Sequence, residues 1–277
     1  MKKILVTTDF SAKSKAGLYF AIQLASQHDF DLTFFYSHFA MTPTSWGIEQ
    51  AESFKKAEAQ KHQTKLELFV EKIYKDMNIE PVQKKCVITS SVFPDSNIRE
   101  YAAENNFDFI CISTRGAGNL ERILGTNTAN LINQSEVPVI AVPYRYKRTK
   151  IESILYASDL ANFEKELQKV TAFAKPLQAA VELLHFTSPL ETAVHPDVLE
   201  ATKKKLAEYN ITTNFKTTDF AQTLVANIEA AIRKTKPSMM IMFTEQNRTL
   251  FQKIFLSSKS AEYSFNPKVP LLVFNKS

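Results

Sequence analysis

The chain repeats its own strand-forming segments, and that repeat limits what it can fold into. Ile4-Leu5-Val6-Thr7-Thr8-Asp9 returns as Ile154-Leu155-Tyr156-Ala157-Ser158-Asp159, an apolar strand closed by small or polar residues and an aspartate. Phe107–Thr114 returns as Pro237–Thr244, and Val137–Val142 returns as Val269–Phe274. All five glycines, Gly17, Gly47, Gly116, Gly118 and Gly125, fall in the first copy. Glycine lets a backbone approach a ligand closely. The asymmetry therefore predicts two similar domains, of which the first retains a phosphate-type loop. At 277 residues the chain is long enough for two separate cores. We place the domains at 1–147 and 148–277, joined at the polar, basic stretch Arg145–Lys150.

Within the first copy, residues 3–8 form an apolar run suited to a strand covered on both faces. Ser11 offers an N-cap to a helix reaching about Gln27, with Leu18, Ala21, Ile22 and Ala25 at helical spacing. Leu32–Tyr36 is the second strand. A charged amphipathic helix over Ile48–Met77 follows, then a strand over Gln83–Thr89 and a helix over Asp95–Asn105. Phe107–Ser113 is a strand, 120–134 a helix and Val137–Val142 the last strand. The second copy follows the same order. Its first helix carries Phe163, Leu167, Val170, Ala174 and Leu177 as one stripe, and its later strands fall at 181–186, 211–216, 238–243 and 269–274. Strict alternation of strand and helix predicts parallel sheets with right-handed crossovers: α/β, two doubly wound, Rossmann-like domains in tandem.

Composition removes several functions. The 34 basic and 29 acidic side chains are spread over both copies, without the clustered basic face that nucleic acid requires. Cys86 and Cys111 sit apart in strand-like segments and read as buried thiols of a reducing compartment. Lys2-Lys3 is followed by only three apolar residues, too few for a signal sequence. No apolar run approaches the roughly 18 residues of a membrane span. We therefore expect a cytoplasmic protein without a membrane partner. His28, His38, His62, His185 and His195 show no metal-ligand spacing, and no serine lies in a nucleophile elbow. Trp46 reads as a packing residue in a long loop.

In doubly wound sheets, ligands bind beyond the carboxyl ends of the strands, where strand order reverses. Two segments of the first copy fit that place. One is Thr7-Thr8-Asp9. The other is Ser113-Thr114-Arg115-Gly116-Ala117-Gly118, followed shortly by Gly125-Thr126-Asn127-Thr128. Glycines and hydroxyls beside a helix start supply N–H and O–H donors for phosphate oxygens. The same residues have structural uses: Asp9, Thr126 and Thr128 as caps, Gly116 and Gly118 as turn residues, Arg115 as a solvated charge.

On these segments, and on the terminal strand Val137-Pro138-Val139, the sequence resembles the universal stress protein family in both copies. The resemblance implies the adenine nucleotide alpha hydrolase-like variant of the fold. It also implies that ATP, with Mg²⁺, binds the first domain. Asp9 would meet the ribose or adenine and Ser37 would lie beside the base. Gly116, Gly125, Thr126, Asn127 and Thr128 would hold the phosphates with help from Arg115, while Thr7 and Ser113 would line the site. The family's ATP-binding branch carries glycine, two residues, glycine, nine residues, then glycine with Ser or Thr. Here Ser113 stands at the first glycine and eight residues separate Gly116 from Gly125. The family's Gly-x-Pro step reads Val92-Phe93-Pro94. In the second copy the loop is Thr244-Glu245-Gln246-Asn247-Arg248-Thr249, without glycine and with a carboxylate that repels phosphate.

The resulting expectation is a non-enzymatic tandem stress-response protein that binds an adenine nucleotide in its first domain. The alternatives are a nucleotide-independent sensor or interaction protein with degenerate or apolar-ligand pockets, and a slow ATPase. The final strands of the two copies are short and apolar, with proline near the start. They are expected to pair within the chain, leaving it a monomer or a homodimer.

Overall fold

The structure of the chain, a computed structural model, describes residues 1–81, 84–114, 126–160, 162–187, 196–217, 224–244 and 269–275. The chain divides into two compact units, the first closing at Arg148 and the second opening at Thr149.

The first unit runs β1 (Lys2–Thr7), α1 (Lys15–Ala25), β2 (Phe30–His38), α2 (Ile48–Met77), β3 (Lys85–Ser90), α3 (Pro94–Glu104), β4 (Phe109–Thr114), α4 (Thr126–Gln134) and β5 (Val139–Pro143). Its strands are parallel in the order β3-β2-β1-β4-β5, so chain direction across the sheet reverses between β1 and β4. Ile4, Leu5 and Val6 are fully buried, as a strand covered on both faces requires. Neighbouring residues of β2 show the two faces. Phe34 meets Tyr74 of α2 with ring centroids 6.0 Å apart, and Phe35 meets Tyr101 of α3 at 4.9 Å.

The second unit runs β6 (Ser153–Ala157), α5 (Phe163–Ala174), a 3₁₀ turn (Lys175–Leu177), β7 (Ala180–Thr187), α6 (Pro196–Glu208), β8 (Ile211–Thr217), α7 (Leu224–Thr235), β9 (Met239–Thr244) and β10 (Leu271–Asn275). Its parallel order is β10-β9-β6-β7-β8. The doubly wound α/β architecture expected from the repeat is present in both units.

Two helices differ from the sequence reading. α1 starts at Lys15, not beside Ser11, because Ser11 serves a preceding turn: its hydroxyl accepts the Ser14 N–H at 3.1 Å. The sequence stripe of α5 omits Glu166, yet this carboxylate is 2% exposed. Its Oε2 accepts the Tyr156 hydroxyl at 2.5 Å and the Ser158 hydroxyl at 2.8 Å. Burial and the Glu166 charge together push the Tyr156 phenol far above its ordinary value.

Among the described residues, five helices or turns end on a left-handed residue that is not glycine: Asn78, Asn106, Gln178, Asn210 and Lys236, with φ between 48° and 58°. Such positions normally favour glycine, which the second copy lacks altogether.

Replacing Glu166 by leucine removes the acceptor of two buried hydroxyls, each costing roughly 1–3 kcal/mol when unsatisfied. Chemical denaturation of Glu166→Leu should show a loss of about 3 kcal/mol. An unchanged midpoint and slope would contradict the account of this buried triad.

Candidate functional site

The turn that closes β1 is built by hydroxyls. Thr8 Oγ1 accepts the Phe10 N–H at 3.1 Å and shares a 2.9 Å hydrogen bond with Ser14 Oγ. Phe10 is held at φ 62°, an uncommon state for a bulky residue. Leu160 repeats it at φ 65°, its N–H donating to Ser158 Oγ at 3.0 Å. Because both units contain it, this strained turn belongs to the fold. No glycine marked it in the sequence. In the first unit it leaves Asp9 exposed at the carboxyl end of β1, one oxygen accepting the Ser11 N–H at 3.0 Å.

Ser113, at the end of β4, faces α1. Its hydroxyl accepts the Gly17 N–H at 2.6 Å and donates to Ser14 O at 2.9 Å. It thereby satisfies one of the four first-turn N–H groups that a helix cannot satisfy itself. A Cβ on Gly17 would lie 3.0 Å from Ser113 Oγ and 3.2 Å from its backbone nitrogen. Gly17 is therefore required by the close approach of α1 to β4.

The opposite face of the sheet carries the other polar strand ends. Thr7, aligned with Phe35 of β2, is buried and bonds Cys111 O at 3.4 Å. Ser37 lies beside Thr89 of β3, and the Asn97 amide of α3 donates to both hydroxyls, at 2.7 and 2.6 Å. All three residues are half-buried. The starts of α3 and α4 are tied by Asn130 Nδ2 donating to Asp95 at 2.7 Å. Thr128 is buried in α4 and Asn127 is exposed. Thr126 is the first residue of that helix. Arg115, Gly116 and Gly125 lie outside the described residues, as does the second copy's loop from Glu245 onward. Sequence reasoning had Thr7 and Ser37 at strand ends. It missed Asn97, Thr89 and the Asp95–Asn130 tie, for which the only signal was amide and carboxyl residues in the first turns of two helices.

On the α1–α2 face, Phe10, Tyr36, His38, His62 and Phe69 form one aromatic cluster. Phe10 lies 4.4 Å from Tyr36 and 5.6 Å from Phe69, and His62 lies 5.2 Å from Tyr36 and 5.4 Å from His38, centroid to centroid. His38 Nδ1 donates to Thr89 O at 2.9 Å, and Lys65 sits 4.4 Å over the Phe10 ring. Trp46 packs on Phe54, 5.3 Å away, at the exposed start of α2. Among the described residues no group of three or more His, Cys, Asp or Glu could hold a metal ion. Cys111 is buried and Cys86 half-buried, and burial pushes the Cys86 thiol up to about 11, so neither offers a thiolate at neutral pH. No helix among the described residues is long and apolar enough to cross a membrane.

This geometry, a doubly wound sheet with polar strand ends at its order reversal, agrees with the comparisons. The model of the universal stress protein family matches residues 1–143, and the chain belongs to that family. A solved universal stress protein from Archaeoglobus fulgidus is similar over 99% of this chain and 98% of its own, with 14% identity and a TM-score of 0.69. A protein of unknown function from Pseudomonas aeruginosa is similar over 99% of this chain and 92% of its own, with 14% identity and a TM-score of 0.65. At these identities the likeness shows the fold, and it covers both copies. No curated protein matches the sequence.

Burial holds the His62 imidazole below its ordinary value; His38, Lys65 and Lys61 act in the same direction and Glu58 opposes them. The folded state thus takes up this proton less readily than the unfolded chain. Stability from this group is present above the unfolded value of about 6.5 and is lost as pH falls from there through the lower folded value. Denaturant midpoints measured from pH 7 to pH 5 should fall, and His62→Phe should flatten that slope. Equal slopes in both proteins would contradict this assignment.

Proposed function

We propose that the first unit binds an adenine nucleotide, ATP with Mg²⁺ included, and that the protein acts in stress response by binding rather than by catalysis. The observation that carries this reading is the set of half-buried Ser37, Thr89 and Asn97 at the carboxyl ends of β2 and β3, beside Thr7 and Asp9. The start of α4 is tied to that of α3 by Asn130 and Asp95, and the first-turn N–H groups of a helix suit phosphate. Arg115, Gly116, Gly125, Thr126, Asn127 and Thr128 would complete the phosphate side. Ser113 contributes through α1, since its hydroxyl is directed onto that helix.

The departure from glycine at Ser113 therefore does not count against a ligand: its side chain turns away from the face that carries Ser37 and Asn97. The binding reading also fits the carboxylates. Asp9 holds the Ser11 N–H and Asp95 holds Asn130, so both have structural partners. The second unit, with Ala157 in place of Thr7 and no glycine in its loop, is proposed to serve as a scaffold.

Calorimetric titration of the full chain with ATP and Mg²⁺ should give one site per chain, tighter than about 1 mM, the level equivalent to roughly −4 kcal/mol. Gly125→Val should abolish the heat while leaving the ligand-free melting temperature nearly unchanged. Absence of binding by the wild-type protein favours the nucleotide-independent sensor. Equal losses of binding and of stability in Gly125→Val make that glycine structural.

A further inference from the structure

The second helix of the first unit is longer than the sheet it covers. α2 has 30 residues, about 45 Å at helical rise. β2, the longest strand beneath it, has nine residues, about 30 Å. The helix leaves β2 and feeds β3, and these strands are parallel, so it begins at the carboxyl end of the sheet. Its buried residues are Leu66, Val70, Ile73, Tyr74 and Met77, all in the second half. The stretch Ile48–Lys61 therefore stands beyond the strand ends, with no buried residue of its own and with Ile48 79% exposed. Trp46 packs on Phe54, so the loop before the helix rides on that stretch.

His62 sits where the overhang meets the sheet. Its ring stacks on Phe10 at 6.5 Å and lies 5.2 Å from Tyr36 and 5.4 Å from His38. Nε2 is 3.7 Å from Glu58, whereas Nδ1 is buried and has no hydrogen bond among the described residues. A neutral imidazole carries one N–H and one lone pair. With the proton on Nε2, toward Glu58, the bare Nδ1 rests among rings. A second proton, on Nδ1, creates a buried donor without an acceptor and a charge beside aromatic groups. β2 presents Tyr36, which burial and Asp9 keep neutral, together with His38. The turn after β1 presents Phe10, with Asp9 next to it, and α2 itself presents Glu58, Lys61 and Lys65. Burial opposes the charged ring most, His38, Lys65 and Lys61 act in the same sense, and Glu58 opposes them.

We propose that the first half of α2, Ile48–Lys61, is a flap on the rim of the first unit, pinned while His62 is neutral and released when His62 takes up a proton. The pin includes Phe10, so the flap stands beside the strand end at which Asp9 is exposed. Once it loses this contact, a helical stretch so short is marginal in water. Release is therefore read as loss of helical hydrogen bonds. The signal is a fall in pH below the ordinary histidine value of about 6.5, whatever ligand the first unit takes.

Amide hydrogen exchange of the full chain at pH 7 and pH 5, corrected for the intrinsic pH dependence of exchange, tests this in the wild type, His62→Phe and His62→Gln. In the wild type, Ile48–Lys61 should be protected at pH 7 and lose most of that protection by pH 5, while β1 and β4 keep theirs. Each variant should show equal flap protection at the two pH values; if His62→Phe fails to fold, His62→Gln carries the test. Protection that persists at pH 5 in the wild type overturns the inference. A loss of the same size in the folded variants overturns it too, because another group then titrates. Simultaneous loss across β1 and β4 does the same, since the proton then acts on the whole fold. Absence of protection across Ile48–Lys61 at pH 7 shows that nothing is pinned, and is equally fatal.

Discussion

The first unit depends on one close approach, that of α1 to β4. Gly17 has no side chain, so Ser113 can reach its N–H and the Ser14 carbonyl at once. This fixes the first turn of α1, and with it the hydroxyl-bonded turn through Thr8, Phe10 and Ser14. Asp9 stands exposed at the strand end because that turn is held from behind. In the second unit Leu167 occupies the position of Gly17 and Phe243 that of Ser113. There the first turn of α5 is held by a buried carboxylate, Glu166, gripping Tyr156 and Ser158. The same strained turn is thus secured twice by different chemistry: glycine and serine in one copy, an acid and two hydroxyls in the other.

The two faces of the first sheet are divided in use. The α1–α2 face is aromatic, and Phe10, Tyr36 and His62 seal the junction of α2 with the ends of β1 and β2. The α3–α4 face is polar at the strand ends, with Thr7 beside the reversal of strand order and Ser37, Thr89 and Asn97 gathered toward β3. Alternation along a strand produces this division directly, since successive side chains point to opposite faces. Tyr36 and His38 thus belong to the packing, whereas Ser37 between them belongs to the candidate site. A serine in place of the family's first glycine is compatible with ligand binding for the same reason, because Ser113 shares the face of Cys111, toward α1.

Much of this was legible in the sequence. Continuous apolar runs and regular helical stripes reveal strand and helix order, and the internal repeat reveals two domains of one kind. The strand-end positions of Thr7, Asp9 and Ser37 follow from that order. Three features were not legible. The left-handed Phe10 and Leu160 carry no glycine to announce them; the N–H of each is held by the hydroxyl two residues before it. Glu166 looks like a surface residue of an amphipathic helix until Tyr156 and Ser158 arrive from β6. Asn97 looks like an ordinary first-turn residue of α3, because its partners lie on strands far away in sequence.

The central claim is that the first copy retains a ligand site and the second has become scaffold. Amide hydrogen exchange on the full chain, with and without saturating AMP, tests it most directly. The account predicts added protection at Thr7–Asp9, at Ser37, across Thr89–Asn97 and at Thr126–Thr128, with exchange across Tyr156–Glu166 unchanged. Protection centred on Tyr156–Glu166, or equal protection in both copies, would contradict it.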